Sequence, residues 1–405
     1  MRIAIISIYP FPIGLAATNR ILAYSKGMVE NGASVEVIMP FPTDTLVAKK
    51  SEYGNSGNYE GVEYFYATGR FTNKYKIIRG ISWFSGYRIL KGLFFSFFKI
   101  KKKHHKNPYD CIIISTDNIV YLKLYSSLGK KLKIASIFIF DEYPIPIRHK
   151  LKRMIPLWKK LSYKFVLKNI SAYISISEEL KNYFNQLCEK QSFTLPVIVD
   201  ISRFNNKKSD IGENEEKYIC YMGNMELSKD NVDLIIKAFE IISFKYPAIN
   251  FYLFGNPKSG TKKYLVDLVD KLKLSKRVFI KGKVNSDEVA HILKGAHILA
   301  SSQPKTLRAS GGFPTKLGEY LASGIPALLT DVGENSKYVK DNEHIFFCKP
   351  DDPVEYAKKI EYIIENYELA RKVAENGRKF IQENYSHTKK GKELLEFILK
   401  LKFKE

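Results

Sequence analysis

The chain has 405 residues, with 65 Lys and Arg against 42 Asp and Glu, for a formal net charge of +23. Hydrophobic residues at 45% and aromatics at 13% exclude a disordered or low-complexity protein, and the length suits two domains with a core each. The excess is local: residues 70–170 hold 23 Lys and Arg but four acids, a net +19, which excludes a uniformly basic protein. One basic surface on an ordinary pair of domains is predicted, facing an anionic partner such as nucleic acid, phospholipid or a phosphorylated small molecule.

The opening apolar run, 3–8, is too short for a signal-peptide core and passes into Tyr9-Pro10 without a cleavage site, so it reads as a buried strand. A loop over 9–17, a helix from about Thr18 to Asn31, Gly32 to end it and a strand over Val35–Met39 complete a first unit. Candidate strands at 61–67, 110–115, 133–140 and 171–176 continue the alternation of a parallel sheet covered by helices. The long apolar stretch Ile81–Ile100 carries Arg88 and Lys91 near its middle. Each would cost about 2.5–3.5 kcal/mol at a bilayer centre, so it does not read as a transmembrane helix.

After the polar stretch Asn205–Glu216 a second series begins. It reads as strand 217–222, helix 230–245, strand 249–254, helix 261–273, strand 277–281, helix 286–294, strand 297–301, a short helix over 314–322 and strand 325–330. Asn285-Ser-Asp-Glu288 has capping-box character. The fold class is therefore α/β, two Rossmann-like domains, 1–200 and 217–385, facing each other across a cleft. In such sheets ligands bind at the carboxyl ends of the strands. Cys111, Cys188, Cys220 and Cys348 stand far apart and form no C-x-x-C pair, which predicts free thiols in a reducing cytosol.

The most informative segment is Ser310-Gly-Gly-Phe-Pro-Thr-Lys-Leu-Gly-Glu-Tyr-Leu-Ala-Ser-Gly-Ile-Pro326. Gly311, Gly312, Phe313, Pro314 and Thr315 lead into a short helix, where free backbone N–H groups and the positive helix end suit a diphosphate. Lys316 and Glu319 share one helix face, a cation for phosphate oxygens beside a carboxylate for ribose hydroxyls. Taken alone, they could equally be a solvated surface pair.

In this context the chain resembles the retaining GT-B glycosyltransferases of group 1, the family 4-like enzymes with an E-x7-E signature. Gly223-Asn-Met-Glu-Leu-Ser-Lys229-Asp resembles the family loop that holds the donor diphosphate. Phe254-Gly255 and the Val278–Gly282 run with Phe279 resemble segments around the nucleotide base. Gly324-Ile-Pro326, Asp331-Val-Gly333-Glu and Pro350-Asp-Asp-Pro353 follow in order. The resemblance implies a diphosphate site with Lys229 and Lys316, and Glu319 on ribose. It departs at two positions: Asn224 stands where the family has Arg, and Gly311 where it has the first Glu, which contacts the transferred sugar. Arg308 and Lys316 are candidates for the missing positive charge.

In the first domain, Pro12-Ile-Gly14 through Arg20 resembles the family's first strand-to-helix loop, where Gly14 would let backbone approach the donor phosphate; a tight structural turn explains it too. Asp141 and Glu142 follow an apolar strand and either orient an acceptor hydroxyl or cap a helix. The last helix, about 386–401, is expected to cross back to the first domain, as is common in this family. No D-x-D pair or His cluster supports a metal site, so neutralising the leaving diphosphate would fall to lysines and helix N-termini.

Trp83, Tyr87, Leu90, Phe94 and Phe97 recur at helical spacing, with Phe84, Phe95 and Phe98 adding width, ahead of Lys99–Lys106, and 148–168 again mixes cations with Trp158 and aliphatics. Regions 81–106 and 148–168 therefore read as an interfacial surface for anionic lipid, although core packing and a solvated basic face would give similar patterns. The resulting expectation is a cytoplasmic, membrane-peripheral transferase. It would move a sugar from a UDP- or GDP-type nucleotide sugar to a lipid-linked or membrane-borne glycan, with no other cofactor, no metal and no nucleic acid partner. A nucleotide-sugar epimerase of the same fold, a basic nucleic-acid binder and a catalytically lapsed scaffold remain the alternatives.

Overall fold

The computed structural model describes residues 1–45, 53–72, 83–144, 147, 155–205, 217–312 and 314–401. Phe313, Ile81 and residues 148–154 of the basic region, as well as the side chains of residues 83–88, lie outside that description. The chain divides into two units: one comprises Met1–Ile198 with His387–Glu405, the other Val199–Ser386.

The first unit carries β1 (Arg2–Ser7), β2 (Ser34–Met39), β3 (Asp44–Thr45), β4 (Ser56–Tyr59), β5 (Val62–Tyr66), β6 (Phe71–Thr72), β7 (Cys111–Ser115), β8 (Ala135–Phe140), β9 (Ala172–Ser175) and β10 (Gln191–Thr194). Eight of them form one sheet in the order β10-β9-β8-β7-β1-β2-β5-β4. The central strands are continuous apolar runs because both faces are covered. On one face Ile3, Ile5, Ile113 and Ile137 pack into a core with Ile21 and Met28 of the first helix, Ala16–Glu30, and Leu394 and Ile398 of the last, His387–Leu399. These two helices touch through backbone: a Cβ on Gly27 would collide with the His387 carbonyl. Glu30 pairs with His387 at 2.9 Å beside that contact. On the other face lie the helices Trp83–Lys106, Ile119–Leu132 and Leu157–Leu167, packed side by side in that order.

The second unit is built on β11 (Tyr218–Met222), β12 (Asn250–Phe254), β13 (Val278–Gly282), β14 (Ile298–Ser301), β15 (Ala327–Thr330) and β16 (Phe346–Cys348). They are all parallel, in the order β13-β12-β11-β14-β15-β16. The order reverses between β11 and β14, which places the natural ligand crevice outside the carboxyl ends of those two strands.

Most expected elements lie within two residues of their observed bounds, and the differences have local causes. The first helix starts at Ala16, not Thr18, because the Thr18 hydroxyl donates back to the Pro10 carbonyl at 2.6 Å instead of capping. Among the strands not expected, β4 and β10 are sheet-edge strands whose exposed or half-buried residues show no apolar alternation, and β16 is a buried edge strand only three residues long. β4 turns into β5 through Glu60 at φ 50° and Gly61 at φ 84°, the two positive angles of a tight hairpin turn. Asn285–Glu288 makes half of its capping box, with the Asn285 N–H donating to the Glu288 carboxylate at 3.1 Å. The helix proper begins only at Val289. All four cysteines are free thiols.

Candidate functional site

The site grows from the loop that follows β11. Gly223 leaves the strand with its N–H donating to the Phe254 carbonyl at 2.9 Å. The chain then turns at Met225, φ 54°, and Lys229 and Asp230 both donate their N–H groups to the Glu226 carbonyl. That turn leaves Asn224 and Lys229 exposed and buries Asp230.

Asp230 receives Lys316, which reaches it from the second residue of the helix Thr315–Ser323. The Lys316 ammonium also donates to the Tyr221 hydroxyl at 3.0 Å and lies 4.4 Å from that ring's centroid. Burial lowers the Lys316 pKa; Asp230 opposes the shift and Lys229 reinforces it. Tyr221 moves the other way, pushed well up by burial and by Asp230, so it stays a neutral phenol. A Cβ on Gly223 would stand 2.6 Å from Lys316 Cε and 2.6 Å from the Tyr221 hydroxyl. Only glycine lets the lysine pass there.

A second cation flanks the same loop. Arg308, in the five-residue helix Leu307–Gly311, donates to Glu226 Oε1 at 2.9 Å. Thr306 caps that helix by accepting the Ala309 N–H at 3.2 Å. Lys229, Arg308 and Lys316 thus gather around residues 223–230, two of them held on carboxylates. A diphosphate entering there meets cations already positioned, and it would compete with Glu226 and Asp230 for them.

Glu319, one turn beyond Lys316, looks elsewhere. Its Oε1 accepts from Arg203 Nη1 at 2.9 Å, and Arg203 Nη2 donates to the Ser286 carbonyl at 3.1 Å. Lys316 and Glu319 are therefore not a mutually satisfied surface pair; each has its own buried or half-buried partner.

The remaining residues are less uniform. The Gly312 N–H already donates to the Ala309 carbonyl at 3.2 Å, so it is not a free donor, a correction to the expected run of open N–H groups. Pro314 precedes the helix in extended conformation and Thr315 is exposed at its first position. Gly255 sits against Gly223, and Phe254 is half-buried beside it. Phe279 lies farther down its strand, in register with Tyr252 and 5.6 Å from that ring. It belongs to an aromatic ladder along the sheet, with Tyr218 stacked on Tyr252 at 4.8 Å. In the first unit, a Cβ on Gly14 would overlap the Thr18 hydroxyl, so this glycine has a packing role at the helix start. Asp141 lies 3.4 Å from Arg20, which is buried and donates to the Leu195 carbonyl at 2.7 Å. Burial opposes the Arg20 charge, but Asp141 and Tyr24 outweigh it and raise its pKa. Among the described residues no three His, Cys, Asp or Glu side chains come together as a metal site would require.

Two α/β units with these sheets define the GT-B fold. The structure of HepE from Anabaena in complex with UDP and glucose superposes with a TM-score of 0.69 at 15% identity, covering 99% of this chain and 100% of that one. Residues 202–380 match the family described as glycosyl transferases group 1. An uncharacterized glycosyltransferase of Methanocaldococcus jannaschii is 26% identical over 220 residues, 54% of this chain and 56% of that protein. Poly(ribitol-phosphate) alpha-N-acetylglucosaminyltransferase of Staphylococcus aureus is 23% identical over 232 residues, 56% of this chain and 44% of that protein. The matched segment thus spans about half the length of these curated relatives.

Proposed function

We propose that the protein is a retaining glycosyltransferase that moves a sugar from a UDP- or GDP-type nucleotide sugar to a hydroxyl of a lipid-linked or membrane-borne glycan. The observation that carries this reading is the cation cluster of Lys229, Arg308 and Lys316 at the switch point of the second sheet. Fixed cations there would take up the charge that develops on the leaving diphosphate, without a metal. Glu319, held by Arg203 through Oε1, would offer Oε2 to the ribose hydroxyls. Gly311 removes the carboxylate the family places on the transferred sugar, so donor-sugar selection would rest on other groups. Asp141, oriented by Arg20, would align the acceptor hydroxyl while the departing phosphate takes its proton. The HepE complex with UDP and glucose supports the donor class, and the wall-polymer transferase among the relatives supports a surface-glycan acceptor.

A thermal-shift panel of UDP, GDP and their sugars, with and without chelator, tests the donor assignment. Stabilisation by one nucleotide series, unchanged by chelator, is expected; no shift with any nucleoside diphosphate would end the transferase reading. Arg203→Ala is expected to weaken nucleotide affinity about tenfold, since losing one charge-assisted contact to Glu319 is worth about 1.5 kcal/mol. Isothermal titration would measure it, and Arg203→Lys should recover part of the loss.

A further inference from the structure

The helices Trp83–Lys106, Ile119–Leu132 and Leu157–Leu167 cover one face of the first sheet, and together they contain 13 Lys and Arg and no Asp or Glu. The two helices on the opposite face mix both signs, with Glu30, Glu393 and Glu396 among their lysines. These three acid-free helices are also where large apolar side chains stand in solvent, while a fourth helix on the same face, Glu178–Leu187, carries Glu178 and Glu179. Leu90, Phe94, Phe95 and Phe98 project from the first helix and Leu157, Trp158, Leu161 and Phe165 from the third, each between 48% and 72% exposed.

These side chains are presented by a packed scaffold. Ser96 and Tyr125 join the first two helices through their hydroxyls at 2.7 Å, and the Tyr163 hydroxyl of the third donates to the Asp117 carbonyl at 2.9 Å. Lys123 of the middle helix lies 4.1 Å from the Phe165 ring centroid, joining the second and third.

The first helix is divided along its length rather than around its circumference. Its solvent side is apolar from Leu90 to Phe98 with Lys91 as the one cation, then basic, with Lys99, Lys102, His105 and Lys106 exposed. The apolar half is about 12 Å long at 1.5 Å per residue.

We propose that this three-helix face docks on a bilayer containing anionic phospholipid. The Leu90–Phe98 half and the Leu157–Phe165 stripe enter the acyl boundary, and the Lys99–Lys106 half lies at the phosphates. A second copy of the chain is a poor occupant, because its three acid-free helices would bring like charge against like. Single-stranded nucleic acid could stack on Phe94, Phe95, Phe98, Trp158 and Phe165, but it would leave Leu90, Leu157 and Leu161 in water, which an acyl boundary covers. The membrane-borne acceptor proposed above gives this face its purpose, but the evidence for the face is separate.

The test is co-sedimentation of the full chain with phosphatidylcholine vesicles, with and without about 30% phosphatidylglycerol, at low and high salt. Binding to the anionic vesicles alone, falling as salt rises, is expected. Lys101→Ala with Lys102→Ala should cut partition roughly thirtyfold, from about 1 kcal/mol for each cation. In a Trp83→Phe, Trp158→Phe background, Phe94→Trp should be quenched by lipids brominated on the acyl chain and Lys106→Trp should not. The wild-type binding needs no substitution, and matched thermal melts screen the variants for folding. Equal partition onto neutral vesicles, equal quenching at both positions, displacement of vesicles by an oligonucleotide, or self-association without vesicle binding would each overturn the proposal. Nucleotide binding without vesicle binding removes the docking face alone; vesicle binding without nucleotide binding removes the transferase reading alone.

Discussion

Lys316→Ala is expected to lower kcat/KM by at least about a hundredfold and to destabilise the protein, and the two effects can be separated. In the proposed role, Lys316 is one preorganised donor to a developing oxyanion, and removing such a donor typically costs 10²–10³ in rate. The stability loss follows from what remains: Asp230, whose side chain is 8% exposed, would keep its carboxylate without its cation. Breaking a fully buried pair costs about 3–5 kcal/mol, and this pair is slightly open to solvent, so about 2–3 kcal/mol is expected. In the double variant with Asp230→Asn the uncompensated charge disappears. Its melting temperature should return most of the way to wild type while activity stays low. If the double variant regains activity, Lys316 serves the loop's structure and not the donor.

Gly255→Ala is expected to be the most damaging single methyl group near the site. Gly255 has φ 146°, and a Cβ there would fall on the Gly223 carbonyl oxygen. Neither peptide can yield cheaply: the Gly223 N–H is bonded to Phe254 and the Gly255 N–H to the Gly282 carbonyl at 2.7 Å. Strain and lost hydrogen bonds together should cost about 3–5 kcal/mol, seen as a fall of about 10 °C in the melt or as insoluble protein. Gly282→Ala is the matched control. It has φ 86° but nothing within 4 Å of the added carbon, so only backbone strain of about 1 kcal/mol should appear. Equal melts for the two variants would show that the contact with Gly223 relaxes freely.

The parallel core strands were legible because burial on both faces turns them into short apolar runs, as in β1, β7 and β11. A polar edge strand carries no such mark: Ser-Gly-Asn-Tyr in β4 reads as loop until its partner is known. Periodicity was a partial guide on the basic face. Of the stripe read from Leu90, Phe94 and Phe97 and widened by Phe95 and Phe98, all stand in solvent except Phe97, which is half-buried. The cause is local: Leu93, Ser96 and Ile100 are the residues that face the sheet, and they set the rotation of the helix. In the candidate site the motif exposes Lys229, Lys316 and Glu319, but not the groups that hold them. Asp230 lies 86 residues from Lys316, and Arg203 lies 116 from Glu319. No spacing rule links positions so far apart; only the fold does.

The pairing of the first helix with His387–Leu399 bears on how the chain is made. Glu30, Gly27 and Met28 wait for a partner that follows the whole of Val199–Ser386 in synthesis. At 5–20 residues per second the ribosome needs roughly 10–40 s to supply it. Throughout that interval the first unit carries an uncovered apolar groove while the second can already fold. Chaperone engagement, and the aggregation of nascent chains stalled before residue 387, should therefore concentrate on the half that was translated first.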